Sequence, residues 1–322
     1  MNNDNQVSVS VVIPTYRRYA MLREAVKSVL EQTCQNLEII VIDDCSGDDT
    51  AKIAEIAPQI IYLCNQKNSG PGYSRKVGLQ QSRGEFIVFL DDDDYYTDCC
   101  FFQKALDILN ANPGYSFVAA NAAIRYECDG HSEQKPLNVH GEMLAAEYLE
   151  GFPFANKKPH STFTTMFRKS VLLEAGVDKM QMVNDIPIFM RCLAAGGSVF
   201  FMENEIGVYR IHGNNISKKI TPEFIIENLK EKMYVLTRIK EEAMFADYNT
   251  WWHRQVNGTV NYYVYGSHPT RMEYFKVWRW CIKASEDKKE VRKILKEYAD
   301  YLTYHRWCAV KNCVKRLLGI TE

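Results

Sequence analysis

The sequence predicts an α/β fold, an open and mostly parallel sheet flanked by helices, with a helical C-terminal extension. Three observations carry this expectation. β-Branched apolar runs recur from Val7 to Ala122, residues at helical spacing lie between them, and from Thr221-Pro222 onward only the helical spacing remains. A chain of 322 residues has room for one sheet domain and a sizeable extension, placed here at 1–220 and 221–322.

Val7 to Ile13 and Leu37 to Ile42 suit strands covered on both faces, and Leu22, Ala25, Val26, Val29 and Leu30 between them share one helix face. Ser46, three residues ahead of Asp49, suits the N-cap of a helix through Ile53, Ile56 and Ala57; Ile60 to Leu63 is the next strand. Gly70-Pro71-Gly72 can start a helix running through Arg75 to Ser82, and Phe86 to Leu90 is a buried strand. Asp98 is placed to cap a helix through Ala105, Leu106 and Leu109, stopped by Asn112-Pro113-Gly114 ahead of a strand at Phe117 to Ala122. Residues 123 to about 160 lack periodicity and read as an irregular insert or lid. In the extension, Ile225, Leu229, Met233, Leu236 and Ile239 share a face, as do Val291, Ile294, Leu295, Tyr298 and Leu302.

Hydrophobic residues at 46% and charged residues at 25% describe an ordinary globular chain rather than a disordered one. The net charge of -1 gives no footprint for nucleic acid, which is not expected as a partner. The charge is unevenly spread, net -6 over residues 1–220 and net +5 over 221–322. Ten cysteines without a Cys-x-x-Cys motif read as free thiols in a reducing cytosol. With no secretory pattern at the N-terminus and no apolar stretch of spanning length, a cytoplasmic location is expected. Trp251, Trp252, Trp278, Trp280 and Trp307, with the basic ending from Val310 to Leu318, are compatible with packed tryptophans or with peripheral contact at the inner face of the cell membrane.

The unusual residues fall where strands end. Four aspartates, Asp91, Asp92, Asp93 and Asp94, follow the strand Phe86 to Leu90 and would repel one another unless a cation or several hydrogen-bond donors answer them, a cation being the economical answer. Oxygen ligands suit Mg2+ or Mn2+ together with phosphate oxygens, and Asp94 is the member best suited to cap the following helix. Asp43 and Asp44 end an earlier strand, where a carboxylate can accept from a base N–H or a ribose hydroxyl. Tyr16, after Pro14 and Thr15, can stack on a nucleobase. The run from Asn68 to Arg75 matches neither a Walker loop nor G-x-G-x-x-G, which disfavours a dinucleotide site; Arg75 can neutralise a diphosphate or pair with the Asp cluster.

Taken in order, Val9-Ser-Val-Val-Ile-Pro-Thr-Tyr16, Val41-Ile-Asp-Asp-Cys-Ser46, Asn68 to Gly78 and Arg83-Gly-Glu-Phe-Ile-Val-Phe-Leu-Asp-Asp-Asp-Asp94 resemble a family 2 glycosyltransferase of the GT-A fold, over about residues 7 to 217. The resemblance implies inverting transfer from a nucleotide-activated sugar, a UDP-sugar first, to a glycan or lipid-linked acceptor in surface polysaccharide or glycan biosynthesis. It implies a donor set of Pro14, Thr15, Tyr16, Asp43, Asp44, Asn68, Arg75, Asp91 and Asp92, with Asp91 to Asp93 as the Asp-x-Asp metal motif and Asp93 the direct ligand to Mn2+ or Mg2+. Phe167 to Leu172 followed by Val183-Asn184-Asp185-Ile-Pro-Ile-Phe189 resembles the acceptor-side segment, which makes Asp185 the general base. Relatives often carry Glu-Asp where this chain has Asn184-Asp185. Tyr209-Arg210-Ile211-His212 resembles a stretch in which the histidine is an optional metal ligand. Two other classes compete: a sugar nucleotidyltransferase, which wants a glycine-rich loop that Ile13-Pro14-Thr15-Tyr16 does not offer, and a glycan-binding or assembly module without turnover.

Overall fold

The computed structural model describes residues 7–180, 183–213 and 220–317, with 305–317 as backbone alone. The chain divides into two compact units, Met1–Gly213 and Asn214–Glu322. The expected boundary at 220/221 falls beside residues 214–219, which lie outside the described residues.

The first unit is built on strands β1 (Val9–Thr15), β2 (Leu37–Asp43), β3 (Ile60–Cys64), β4 (Phe86–Phe89), β5 (Tyr95–Tyr96), β6 (Tyr115–Tyr126), β7 (Ser132–Gln134), β8 (Gly141–Leu144), β9 (Thr165–Arg168) and β10 (Ser198–Ile211). They form one sheet in the order β3-β2-β1-β4-β9-β6-β10-β5, with β7 added to β6 and β8 to β10. The ladders β1–β2, β2–β3, β1–β4 and β6–β10 are parallel. Helices α1 (Tyr19–Leu30), α2 (Pro71–Gln81), α3 (Phe101–Ala111), α4 (Ala145–Gly151), α5 (Lys169–Glu174) and α6 (Asp185–Ala194) connect and flank them. Every residue of β1 and of β4 is buried, as continuous apolar runs in a doubly covered parallel sheet should be. Leu22, Ala25, Val26 and Val29 of α1 pack into the same core cluster as Val11, Ile39 and Val88.

One strand runs against the expected alternation. β9 inserts antiparallel between β4 and β6, pairing Phe86 with Arg168 and Phe117 with Phe167. Because both its neighbours are antiparallel to it, β4 and β6 stay parallel, so six of the strands share one direction and one edge of carboxyl ends. The stretch expected to be irregular is partly ordered: β6 runs on through Ala123 to Tyr126, and β7, β8 and α4 follow. Strands of three or four half-exposed residues, such as β7 and β8, carry too few alternations to register as a pattern.

Two capping expectations are corrected. Asp48, not Ser46, caps the 3-10 turn at Asp49–Glu55, accepting from Thr50 N–H at 3.0 Å. Asp94 caps no helix: α3 begins at Phe101, and Asp98 accepts from the N–H of Cys100 at 2.8 Å.

The second unit holds α7 (Pro222–Glu241), α8 (Tyr248–Ser267), α9 (Arg271–Ala284) and α10 (Lys288–Leu317). Thr221 caps α7 with Pro222 at its first turn, and Thr270 with Glu273 forms a capping box on α9. Ile225, Leu229, Leu236 and Ile239 are buried as the spacing expects, joined by Lys232. Trp251 and Trp252 are core residues, and the Trp252 indole N–H donates to Ser285 Oγ at 2.8 Å. Trp278 and Trp280 are half-buried, while the side chains of Trp307 and of Val310 to Leu318, on which the membrane-contact expectation partly rests, lie outside the described residues. No helix among the described residues is long and apolar enough to cross a membrane.

Candidate active site

Parallel registration brings the sequence-predicted residues to one edge. Thr15 and Asp43 are direct partners at the ends of β1 and β2, and Val12 pairs with Phe89, so the Asp run emerges from β4 beside Thr15. There the Thr15 hydroxyl donates to Asp92 Oδ2 at 2.7 Å. The turn closes on itself through Asp94 N–H to Asp91 C=O at 3.1 Å.

Each aspartate of the run has a different environment. Asp91 pairs with the guanidinium of Arg75, which reaches from α2 and also donates to Val183 C=O at 3.1 Å. Asp92 takes, besides Thr15, an N–H of Arg18 at 3.0 Å. Asp93 Oδ2 is shared by Arg18 at 2.7 Å and His212 Nε2 at 2.9 Å. Asp94 Oδ1 accepts the backbone N–H of Arg210 at 3.0 Å, while its Oδ2 is buried with no hydrogen-bond partner among the described residues. Arg210 also donates to Asp93 C=O and to Glu24 at 2.8 Å, and lies 4.7 Å over the Tyr95 ring.

Crowding and burial oppose ionisation here. Burial pushes the Asp92 carboxyl up to about 6, with Asp93 adding to the rise and Arg18 opposing it. Asp91 is raised chiefly by burial despite Arg75, and Asp94 is driven well up by burial and then by Asp93 and Asp91. These are the surroundings in which a divalent ion is favoured. Carboxylate oxygens of Asp91, Asp93 and Asp94 lie within 4.8 Å of one another, the donor set is oxygen-only, and one buried oxygen lacks a partner. The run therefore fits a hard cation, with His212 in reach of Asp93 and Asp94 joining the set in place of a capping role.

Asp43 and Asp44 are already engaged by the protein. Asp43 Oδ1 accepts from Ser46 N–H at 2.9 Å and Ser46 Oγ at 2.5 Å, and its Oδ2 accepts from the Tyr62 hydroxyl at 2.7 Å. Asp44 gathers the loop ahead of α2, accepting from Asn65 Nδ2 at 2.8 Å, Ser69 N–H at 2.9 Å and Gly70 N–H at 2.6 Å. Gly70 has φ of +85°, a conformation few other residues adopt, so the sharp entry to α2 depends on it. Asn68 is exposed, and it is Asn65 that contacts Asp44. Pro14 is buried, whereas Tyr16 is 37% exposed under the guanidinium of Arg17, 5.0 Å from its ring.

Asp185 opens α6 after the N-cap Asn184, whose side chain makes no capping bond; the neighbours of Asp185 are cations, Arg75 Nη2 at 4.0 Å and Lys158 Nζ at 3.8 Å. Arg75 thus stands between Asp91 and Asp185, joining the Asp91–Asp94 turn to the start of α6. Gly72, one turn earlier, lets Val183 approach so closely that a Cβ there would sit 3.1 Å from its backbone nitrogen. Sequence reasoning gave no role to Arg18, Asn65, Lys158 or Arg210, whose contacts span many residues and leave no local spacing to find.

The model for "Glycosyl transferase family 2" matches residues 10–175, more than half of the chain. The chain belongs to glycosyl transferase family 2. Its family 2 relatives include the GalNAc(5)-diNAcBac-PP-undecaprenol beta-1,3-glucosyltransferase of Campylobacter jejuni, 31% identical over 212 residues, covering 63% of this chain and 64% of the relative. A second is the putative colanic acid biosynthesis glycosyl transferase WcaA of Escherichia coli, 27% identical over 219 residues, covering 65% of this chain and 75% of the relative. The match to the first of these spans under two thirds of that relative's length. Among solved structures, S. aureus TarS 1–349 in complex with UDP-GlcNAc superposes with a TM-score of 0.59 at 17% identity, covering 91% of this chain and 92% of that one. At that identity the likeness shows the fold, which is the GT-A type that the motifs of family 2 imply.

Proposed function

We propose that this chain is an inverting glycosyltransferase that moves a sugar from a nucleoside diphosphate donor, a UDP-sugar first, to a hydroxyl of a glycan or lipid-linked acceptor. The observation that carries the reading is the bridge from Asp91 through Arg75 to Asp185, since it sets a carboxylate cluster suited to a cation and a carboxylate without hydrogen-bond donors among the described residues side by side at the strand ends. The relatives' names, a glucosyltransferase acting on a PP-undecaprenol-linked glycan and a colanic acid enzyme, support the acceptor class and a place in glycan biosynthesis. TarS in complex with UDP-GlcNAc supports UDP as the first donor nucleotide to try.

In this reading Asp91, Asp93 and Asp94, with His212 alongside, hold Mn2+ or Mg2+, which when bound offsets the charge of the diphosphate leaving group. Arg75, kept protonated by Asp91 and Asp185 against the pull of burial, presents a fixed positive charge to the diphosphate. Asp43 and Asp44 hold the walls of the nucleotide pocket, Asn68 and Tyr16 line its open side, and Pro14 and Thr15 shape the strand end beneath. Asp185 takes the acceptor hydroxyl's proton as that oxygen bonds to the anomeric carbon; the bond from that carbon to the diphosphate breaks and its electron pair leaves on the phosphate oxygen. Attack from the face opposite the leaving group inverts the anomeric centre.

Nucleotide release from a panel of UDP-, GDP- and dTDP-sugars with Mn2+ tests this. Asp93→Asn and Asp185→Asn should each abolish most turnover, and a rate unchanged in both would overturn the site assignment.

A further inference from the structure

Outside the residues already given roles, a half-buried cation faces the reacting edge. Lys158 belongs to the segment after α4, outside every sequence motif, yet its Nζ lies 3.8 Å from Asp185 Oδ2. The segment is fastened on both sides of the preceding peptide: Lys157 N–H donates to Asn138 Oδ1 at 2.9 Å, and Lys157 C=O accepts the Tyr148 hydroxyl at 2.5 Å. The ammonium itself is tied down by donating to Pro159 C=O at 2.8 Å and His160 C=O at 2.6 Å. Burial pushes this lysine down, and Asp185 and then Asp91 oppose that shift.

The geometry around Asp185 is selective. Its two oxygens each have one cation near 4 Å, Arg75 at 4.0 Å from Oδ1 and Lys158 at 3.8 Å from Oδ2. Neither distance is a hydrogen bond, and the carboxylate has no hydrogen-bond donor among the described residues. Such an arrangement supplies charge without occupying the lone pairs. A carboxylate clamped by direct hydrogen bonds would have its lone pairs taken and be a poor proton acceptor; one with no cation nearby would have nothing to hold its orientation.

We propose that Lys158 is a positioning residue for Asp185: its charge, anchored on two backbone carbonyls, holds that carboxylate aimed while leaving its oxygens open to the incoming hydroxyl. The inference rests on Asp185 being the base. Among the described residues Lys158 makes no hydrogen bond or ion pair to the Asp91–Asp94 turn and feels Asp91 less than Asp185, so its effect should fall on turnover more than on donor binding.

The test is nucleotide release, with water as acceptor, from whichever UDP-, GDP- or dTDP-sugar the wild type turns over fastest in Mn2+. Lys158→Met should lower kcat about 10- to 100-fold while donor KM and the thermal shift given by the free nucleoside diphosphate hold, and Lys158→Arg should recover most of the loss. In the Asp185→Asn background Lys158→Met should cost nothing further, because a residue acting through Asp185 has nothing left to act on. Lys158→Met within twofold of wild type, a matching loss of nucleotide affinity, or full additivity with Asp185→Asn would each overturn the role of Lys158 and leave Asp185 standing. Turnover unchanged in Asp185→Asn, or a wild type that releases nucleotide from none of the donors, would remove the base reading and this one with it.

Discussion

In the sheet unit, Asp91, Asp92 and Asp93 each face a cation, Arg75 or Arg18, whereas in the helical unit the ammonium of Lys232 is buried against one hydroxyl, Thr259 Oγ1 at 2.5 Å. Thr259 passes the bond on to Gln255 C=O at 2.7 Å, and no carboxylate lies within ion-pair distance of Lys232 among the described residues. Burial alone pushes this lysine down to about 7. The contrast separates two uses of buried charge. Around the strand ends, excess negative charge is partly balanced and leaves room for one more cation. On α7 the buried ammonium of Lys232 meets a hydroxyl but no carboxylate among the described residues, so much of its desolvation stands as a cost to folding.

The largest expected effect breaks the first half of the contrast. Asp185→Asn should lower kcat by about 100-fold or more, read as initial rates, because general base catalysis of this kind contributes on that scale. Arg210→Met should destabilise the sheet unit by about 2 kcal/mol in urea unfolding, since it removes the charge-assisted brace on the Asp93 carbonyl, while the half-exposed Glu24 loses its partner at little cost. A change under about 1 kcal/mol would mean the Arg210 main-chain N–H to Asp94 suffices to hold the turn.

Lys232→Met tests the other half. Folding depresses this lysine from 10.5 to about 7, so below pH 7 both folded and unfolded chains carry the proton and the full cost applies. As pH rises from about 7 toward 10.5 the folded state releases its proton first, and stability should increase across that window. The methionine variant should be more stable than wild type at pH 6 by a few kcal/mol, a gap that narrows by pH 9, as measured by chemical unfolding at each pH. A gap independent of pH would show that packing rather than charge sets it. The smallest effect is expected from Gly72→Ala, whose Cβ would press on Val183: roughly a threefold loss of kcat with under about 1 kcal/mol of stability change.

Much of the sheet was legible because doubly covered strands such as β1, β2 and β4 are unbroken apolar runs, and the Asp91–Asp94 run is visible without any fold. β9 was not, since four residues that pair antiparallel between β4 and β6 carry no sign of their neighbours. Asp94 was misread for a related reason: a carboxylate ahead of a helix looks like a cap, and only the return of β10 brings the Arg210 N–H that it accepts. Lys158 sits in a stretch without periodicity, and Lys232 occupies a core position of α7 that an apolar residue would ordinarily fill. Local pattern reports which face an element buries; which charges meet across the sheet is decided by register and by loops.

Asp44 adds a consequence of its own. By gathering Asn65, Ser69 and Gly70 onto one carboxylate, it holds the loop ahead of α2 in its working shape before any ligand arrives. A ligand settling over those strand ends therefore meets a surface whose conformational freedom was surrendered during folding, and loses little entropy in ordering it. Cutting that clasp would leave each contact chemically possible while making the loop a moving target, and the penalty would surface as slower capture and quicker escape.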